Sequence, residues 1–195
     1  MANRVFLAFA NSDDPDVGYD ADDIVAAANY MLPVLWCAAF SSNDIAWRDL
    51  PRDAYDADDD GEDEPRVVAY PILYAELDAV KRRAGERRAP FFRVFPRWLE
   101  TVYDQWLVLL DGIDASHLLV DTLELWGMMK PDEFEALLIE CVSAFKNDEP
   151  RYWSQLLHQA SIELDVSNED VSFDVDAIPY LLRGDGWLRP MPWEE

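Results

Sequence analysis

Asp56, Asp58 and Asp60 alternate along the chain and are followed by Gly61, the opening of a loop that wraps a hard cation. In such a loop alternate carboxylates converge on one ion and the glycine makes the sharp turn. The pattern breaks further on. Val67 stands at the twelfth position, where a bidentate Glu closes the coordination shell, and Pro65 and Arg66 lie inside the loop. A specific calcium or other metal site is therefore the weaker reading of these carboxylates. The stronger one takes in the whole run from Asp53 to Glu64, in which eight of twelve residues are acidic: Asp53, Asp56, Asp58, Asp59, Asp60, Glu62, Asp63 and Glu64. So dense a run repels itself and calls for a compensating cation from solvent, a metal or a basic surface. With the neighbouring aromatics Trp47 and Tyr55 to supply apolar burial, it is the expected partner-binding surface.

Other residues with chemistry to offer lack the company that chemistry needs. His117 and His158 are the two histidines; neither sits at metal-ligand spacing from another ligand, and a structural or surface role is expected for both. Cys37 and Cys141 give no disulfide framework and fall in apolar stripes, where a thiol acts as a small buried hydrophobe. Acidic pairs such as Asp111 and Asp114 have the right type for acid and base work, but among forty carboxylates such a pair carries no information. There is no glycine-rich phosphate loop, no nucleophile elbow and no dinucleotide fingerprint. The expectation is a non-enzymatic protein without a cofactor.

Charge narrows the partners. Sixteen basic residues against forty acidic ones leave a formal net charge of -24, which argues against nucleic acid and against anionic membranes. Half of the residues are hydrophobic and 13% are aromatic, so the charge covers a folded body with a core. Seven of the sixteen basic residues fall between Lys81 and Arg97 and are expected to lie against acids of the same molecule. No apolar stretch approaches the length of a membrane span. The N-terminus lacks the pattern of a signal peptide, and with only two cysteines a cytoplasmic location is expected.

The elements that position these residues read as follows. Val5, Leu7 and Phe9 alternate from Arg4 to Ala10, a first strand. Ile24, Val25 and Ala28 behind acids at Asp22 and Asp23 predict a helix, and Pro33 ends it or opens another. Residues 41–66 read as one long acidic insertion loop. Leu73, Leu77 and Val80 predict a helix ending near Gly85. Clean helical faces follow at Leu99–Leu110 and Phe134–Phe145, with a shorter helix over Leu118–Trp126 between them and another over Tyr152–Ala160. Val171 and Phe173 suggest a short strand, and residues 177–182 a helical turn. The tail, with Trp187 and Trp193, reads as extended. Trp36, Trp98, Trp106, Trp126 and Trp153 fall on apolar stripes and are expected in the core. The predicted fold is α+β, mainly α: one domain over residues 1–195, about six helices, and a minor β element near the N-terminus.

Met1-Ala2-Asn3-Arg4, followed by an alternating strand, and Asn29-Tyr30-Met31-Leu32-Pro33-Val34-Leu35 together resemble an uncharacterised family of bacterial proteins that open with Met-Ala-Asn-Arg. The resemblance spans roughly the first forty residues and extends toward the Trp98–Leu110 helix. It implies a small cytoplasmic protein without enzyme signatures, immunity proteins of interbacterial toxin systems being among the suspected members. It supplies no catalytic residue, and the chain departs from the family in the acidic run. Three functions are weighed from these observations. The favoured one is an immunity protein that neutralises a cognate toxin by covering its basic active-site surface. The others are a calcium-binding protein or metal-dependent hydrolase using Asp56, Asp58 and Asp60, and a DNA mimic that inhibits a DNA-binding enzyme.

Overall fold

The computed structural model describes residues 4–50, 68–94, 97–143 and 183–186. Five strands, β1 (Arg4–Ala10), β2 (Ile24–Asn29), β3 (Ile45–Leu50), β4 (Val68–Glu76) and β5 (His117–Asp121), form one sheet in the order β2-β1-β5-β4-β3. Every neighbouring pair is antiparallel. Among the described residues five helices accompany it: α1 (Val34–Ala39), α2 (Leu77–Val94), α3 (Glu100–Gly112), α4 (Leu123–Trp126) and α5 (Pro131–Ser143). The expectation of a mainly helical chain with a minor β element is thus overturned; the sheet organises the molecule.

The first strand stands as its alternation predicts, with Val5 and Leu7 fully buried. The other strands hide their nature for identifiable reasons. β2 reads Ile-Val-Ala-Ala-Ala-Asn, and its alanines carry no preference for a pleated surface. The acids before it close a tight turn of 3-10 helix at Ala21–Asp23, where the Asp20 amide donates to Asp23 Oδ2 at 2.8 Å, and the chain then extends. β5 is buried along its whole length, so it shows no two-residue period and passes for part of a helix. β4 contains Pro71, which ordinarily argues against an inner strand. Here β5 pairs with β4 only from Leu73 to Glu76, so the missing amide is not needed, and the Pro71 carbonyl accepts the Thr122 hydroxyl. β3 occupies residues expected as loop.

One sheet face joins the main core. Val5, Leu7, Ala26, Ala28, Leu73, Ala75, Leu118 and Val120 share a buried cluster with Trp36, Val80, Phe91, Tyr103, Trp106, Phe134 and Leu138 from the helices. Burial of large apolar side chains stabilises by about 1.5–3 kcal/mol each. Pro33 precedes α1 and fixes its entry. α2 runs past Gly85 and through Pro90 to Val94, well beyond its predicted end. Burial of Ala84 and Phe91 and the Tyr103 hydroxyl bond to the Ala84 carbonyl at 2.6 Å hold it there against the glycine and proline penalties.

Of the basic residues of α2, Arg83 and Arg88 lie against acids of the same molecule, as expected, whereas Lys81 and Arg87 reach backbone carbonyls. Arg83 reaches the Ala39 carbonyl and Asp44, and Arg87 donates to the Ala38 and Phe40 carbonyls. They satisfy the carbonyls that the short α1 leaves open at its negative end. Arg88 pairs with Glu100 and Asp104, both at 2.8 Å. The outer sheet edge at β2 gains a short bridge from the late chain: Ala27 and Asp185 exchange backbone bonds of 2.9 and 2.7 Å. The expected helix over Tyr152–Ala160, the strand at Val171 and Phe173, the turn at 177–182 and the tail lie outside the described residues.

Candidate functional site

The second sheet face is where charge is organised. Register places Ala8, Ala10, His117, Leu119, Asp121, Tyr70, Tyr74 and Arg48 on this side. The β1–β2 connection, residues 11–23, lies across it as a strap. Each strand beneath contributes a tie. The Tyr74 hydroxyl donates to the Ser12 carbonyl at 2.5 Å, and the Tyr74 ring stacks on His117 at 5.0 Å between centroids. Arg48 Nε donates to the Pro15 carbonyl at 2.7 Å and Arg48 Nη2 to the Val17 carbonyl at 3.2 Å. At the far edge the Asp49 amide donates to Asp16 Oδ1 at 3.0 Å.

Under the strap sits a buried ionic clasp. Arg48 Nη1 meets Asp121 Oδ2 at 3.3 Å, and both side chains are nearly sealed from solvent. The same carboxylate oxygen accepts the Tyr19 hydroxyl at 3.1 Å and the Tyr70 hydroxyl at 3.4 Å, while Oδ1 accepts the Leu123 amide at 3.0 Å. All three guanidinium nitrogens of Arg48 are in use, so this cluster holds the strap and offers no vacancy to an anion. Burial and the nearby Asp121 charge push the Tyr70 hydroxyl up to about 12 and that of Tyr19 higher still. Both stay neutral donors to the carboxylate.

Ser116, His117 and Asp13 resemble a nucleophile with its base and orienting acid. The geometry gives them a different task. Ser116 Oγ lies 2.9 Å from His117 Nδ1 and 3.2 Å from the Ala10 carbonyl, while Asp13 Oδ1 is 3.9 Å from His117 Nε2. The hydroxyl is committed to backbone, and the ring links the strap to the start of β5. His117, expected near a helix start, opens a strand instead. Among the described residues no group of three or more His, Cys, Asp or Glu is arranged to hold a metal ion.

The strap and the β3 edge together form the acidic face. Asp13, Asp14, Asp16, Asp20 and Asp22 are exposed, as is Asp49. Among the described residues no Lys or Arg stands within ion-pair distance of any of them. On the strand that bears Asp49, Trp47 is 45% exposed. Of the site residues proposed from sequence, Trp47 is therefore placed on an open surface, on the same side of β3 as Asp49 and the opposite side from Arg48. Asp53, Tyr55, Asp56, Asp58, Asp59, Asp60, Glu62, Asp63 and Glu64 lie outside the described residues, within the connection whose two ends are the paired Leu50 and Val68. Sequence reasoning missed Asp16, Asp49 and the Arg48–Asp121 clasp. The available signal was Arg48, a cation set between the apolar alternates Ala46 and Leu50.

Among the described residues no helix is long and apolar enough to cross a membrane. Comparison with protein-family models, with curated proteins and with solved structures finds no match.

Proposed function

We propose that this chain is a non-enzymatic acidic binding protein, an immunity protein that neutralises a cognate toxin by occluding a basic active-site surface. One observation carries the reading: Arg48 and Arg83 are turned inward, while the strap carboxylates are left outside. Arg48, Arg83 and Arg88 are engaged with acids of their own fold, whereas the strap aspartates face solvent without a cationic neighbour among the described residues. The chain's net charge of -24 then steers any basic cleft toward it, and enzymes that act on nucleic acids or nucleotides carry such clefts. The run from Asp53 to Glu64 adds eight carboxylates to the same hairpin that bears Trp47. Affinity rests on a few desolvated contacts, and the remaining acids raise the association rate.

The test is protection. Co-expressed with the toxin encoded beside it, the chain should restore growth and bind the toxin domain in a manner that weakens steeply with salt. Replacing the eight acids from Asp53 to Glu64 by Asn and Gln should slow association by about ten-fold or more at low ionic strength. An unchanged association rate removes the acidic run from the interface. Absence of any protection removes the toxin as the partner.

A further inference from the structure

We propose that the outer edge of β3 receives an extended, Lys- or Arg-bearing segment of the partner as an added sixth strand. The inference rests on the reading that the partner is basic, and it specifies how that partner is held.

Among the described residues β3 ends the sheet order and pairs on one side alone, with β4. Pro71 stands opposite Trp47 and has no amide to give. Their pair is therefore a non-hydrogen-bonded one, and the Trp47 amide and carbonyl point away from the sheet. By the same two-residue period, the outward-directed groups at Ile45 and Asp49 lie in that row. The Asp49 amide confirms the direction, because it is met from outside by Asp16 Oδ1 at 3.0 Å. That carboxylate occupies the place of a neighbouring strand's carbonyl. Among the described residues nothing pairs with the outward amides of Ile45 and Trp47.

Open edges recruit strands, and proteins guard them with charge. Among the described residues the guard here is acidic: Asp49 projects on the Trp47 face of the strand, and Asp16 lies along the edge. A second copy of this chain would bring its own charge of -24 against the same carboxylates and is repelled. A cationic strand is admitted. Its backbone would close onto Ile45 and Trp47, one alternate side chain would lie over the exposed Trp47 ring as a cation–π pair, and the next would reach Asp49 and Asp16. Main-chain bonds supply affinity, and the Trp–Asp alternation supplies the preference for positive charge at every second residue.

The experiment uses the full chain and two synthetic nine-residue peptides at low salt: one alternating lysine with valine and threonine, and the same peptide N-methylated at every amide. The two carry equal charge, and only the first can form strand hydrogen bonds. Calorimetry should show the methylated peptide binding at least about ten-fold more weakly. Amide exchange at Ile45 and Trp47 should slow with the unmethylated peptide alone, and Trp47→Ala should weaken its binding several-fold. Equal binding of both peptides, without protection at Ile45 and Trp47, overturns the edge while leaving the basic-partner reading in place. Failure of both peptides to bind overturns the basic-partner reading itself.

Discussion

Asp121 is the residue on which the strap depends, since a single carboxylate gathers Arg48, Tyr19, Tyr70 and the Leu123 amide. Breaking a buried pair by removing one partner costs about 3–5 kcal/mol, because the other charge stays behind unpaired. Asp121→Ala should therefore lower the unfolding free energy in urea by that amount. Asp49→Asn, on an exposed residue, should stay within about 0.5 kcal/mol. If the two variants unfold alike, the clasp does not hold the fold. The tyrosines add a pH dependence with a definite sign. Burial, then Asp121, raises the Tyr70 hydroxyl from 10.0 to about 12, and Tyr19 is displaced the same way for the same causes. Tyr103 is raised by burial. Above pH 10 the unfolded chain releases these protons while the native state keeps them. The native state thus binds more protons, and stability falls as pH rises through 10 toward 12. Melting temperature followed over that window, alongside tyrosinate absorbance, should show unfolding and ionisation arriving together. Ionisation well before unfolding would mean that the hydroxyls are not buried donors.

Elements differed sharply in how far the sequence disclosed them. α3 and α5 were legible because each shows one apolar face at helical spacing, and Tyr103, Trp106, Phe134 and Leu138 are buried on those faces. Trp36 and Trp126 also lie in the core as their stripes implied. β2 and β5 were not legible, since an alanine-rich strand has no propensity signal and a strand buried on both faces has no period. The sheet was consequently undercounted and the class misjudged. Nothing in the local sequence marks Gly184 either, yet it is tightly constrained. Its φ is +69°, and an added Cβ would stand 2.6 Å from the Ala27 carbonyl oxygen and 2.9 Å from the Trp36 ring. Just before it, the Arg183 carbonyl accepts the Trp36 indole N–H at 2.9 Å. Gly184→Ala should destabilise by about 1–3 kcal/mol. Gly85→Ala, in the middle of α2 with nothing within 4 Å of the new Cβ, should stabilise by about 0.5–1 kcal/mol. Opposite shifts in thermal midpoint for two identical substitutions would separate backbone constraint from helix propensity.

At the scale of the whole molecule, charge imposes a standing cost. A net charge of -24 on 195 residues repels itself in the compact state more than in the expanded chain. Moderate monovalent salt should therefore raise the thermal midpoint of the free protein, in the same range where it slows association with a basic partner. A midpoint that is flat or falling with salt would mean that internal ion pairs such as Arg88 with Glu100 and Asp104 outweigh the repulsion. The acidic run was plain in the sequence, because composition alone reveals it. The meeting of strap and β3 was not, since Asp16 and Asp49 come together only when a connection between β1 and β2 crosses three other strands. That crossing ties the sheet's last strand to a segment rooted beside its centre and returning to its opposite border. An outermost strand is ordinarily the first to fray, but this one cannot lift away without drawing the whole girdle with it. Exchange of the β2 and β3 amides should accordingly report one shared opening event, and a ligand gripping either border should slow both.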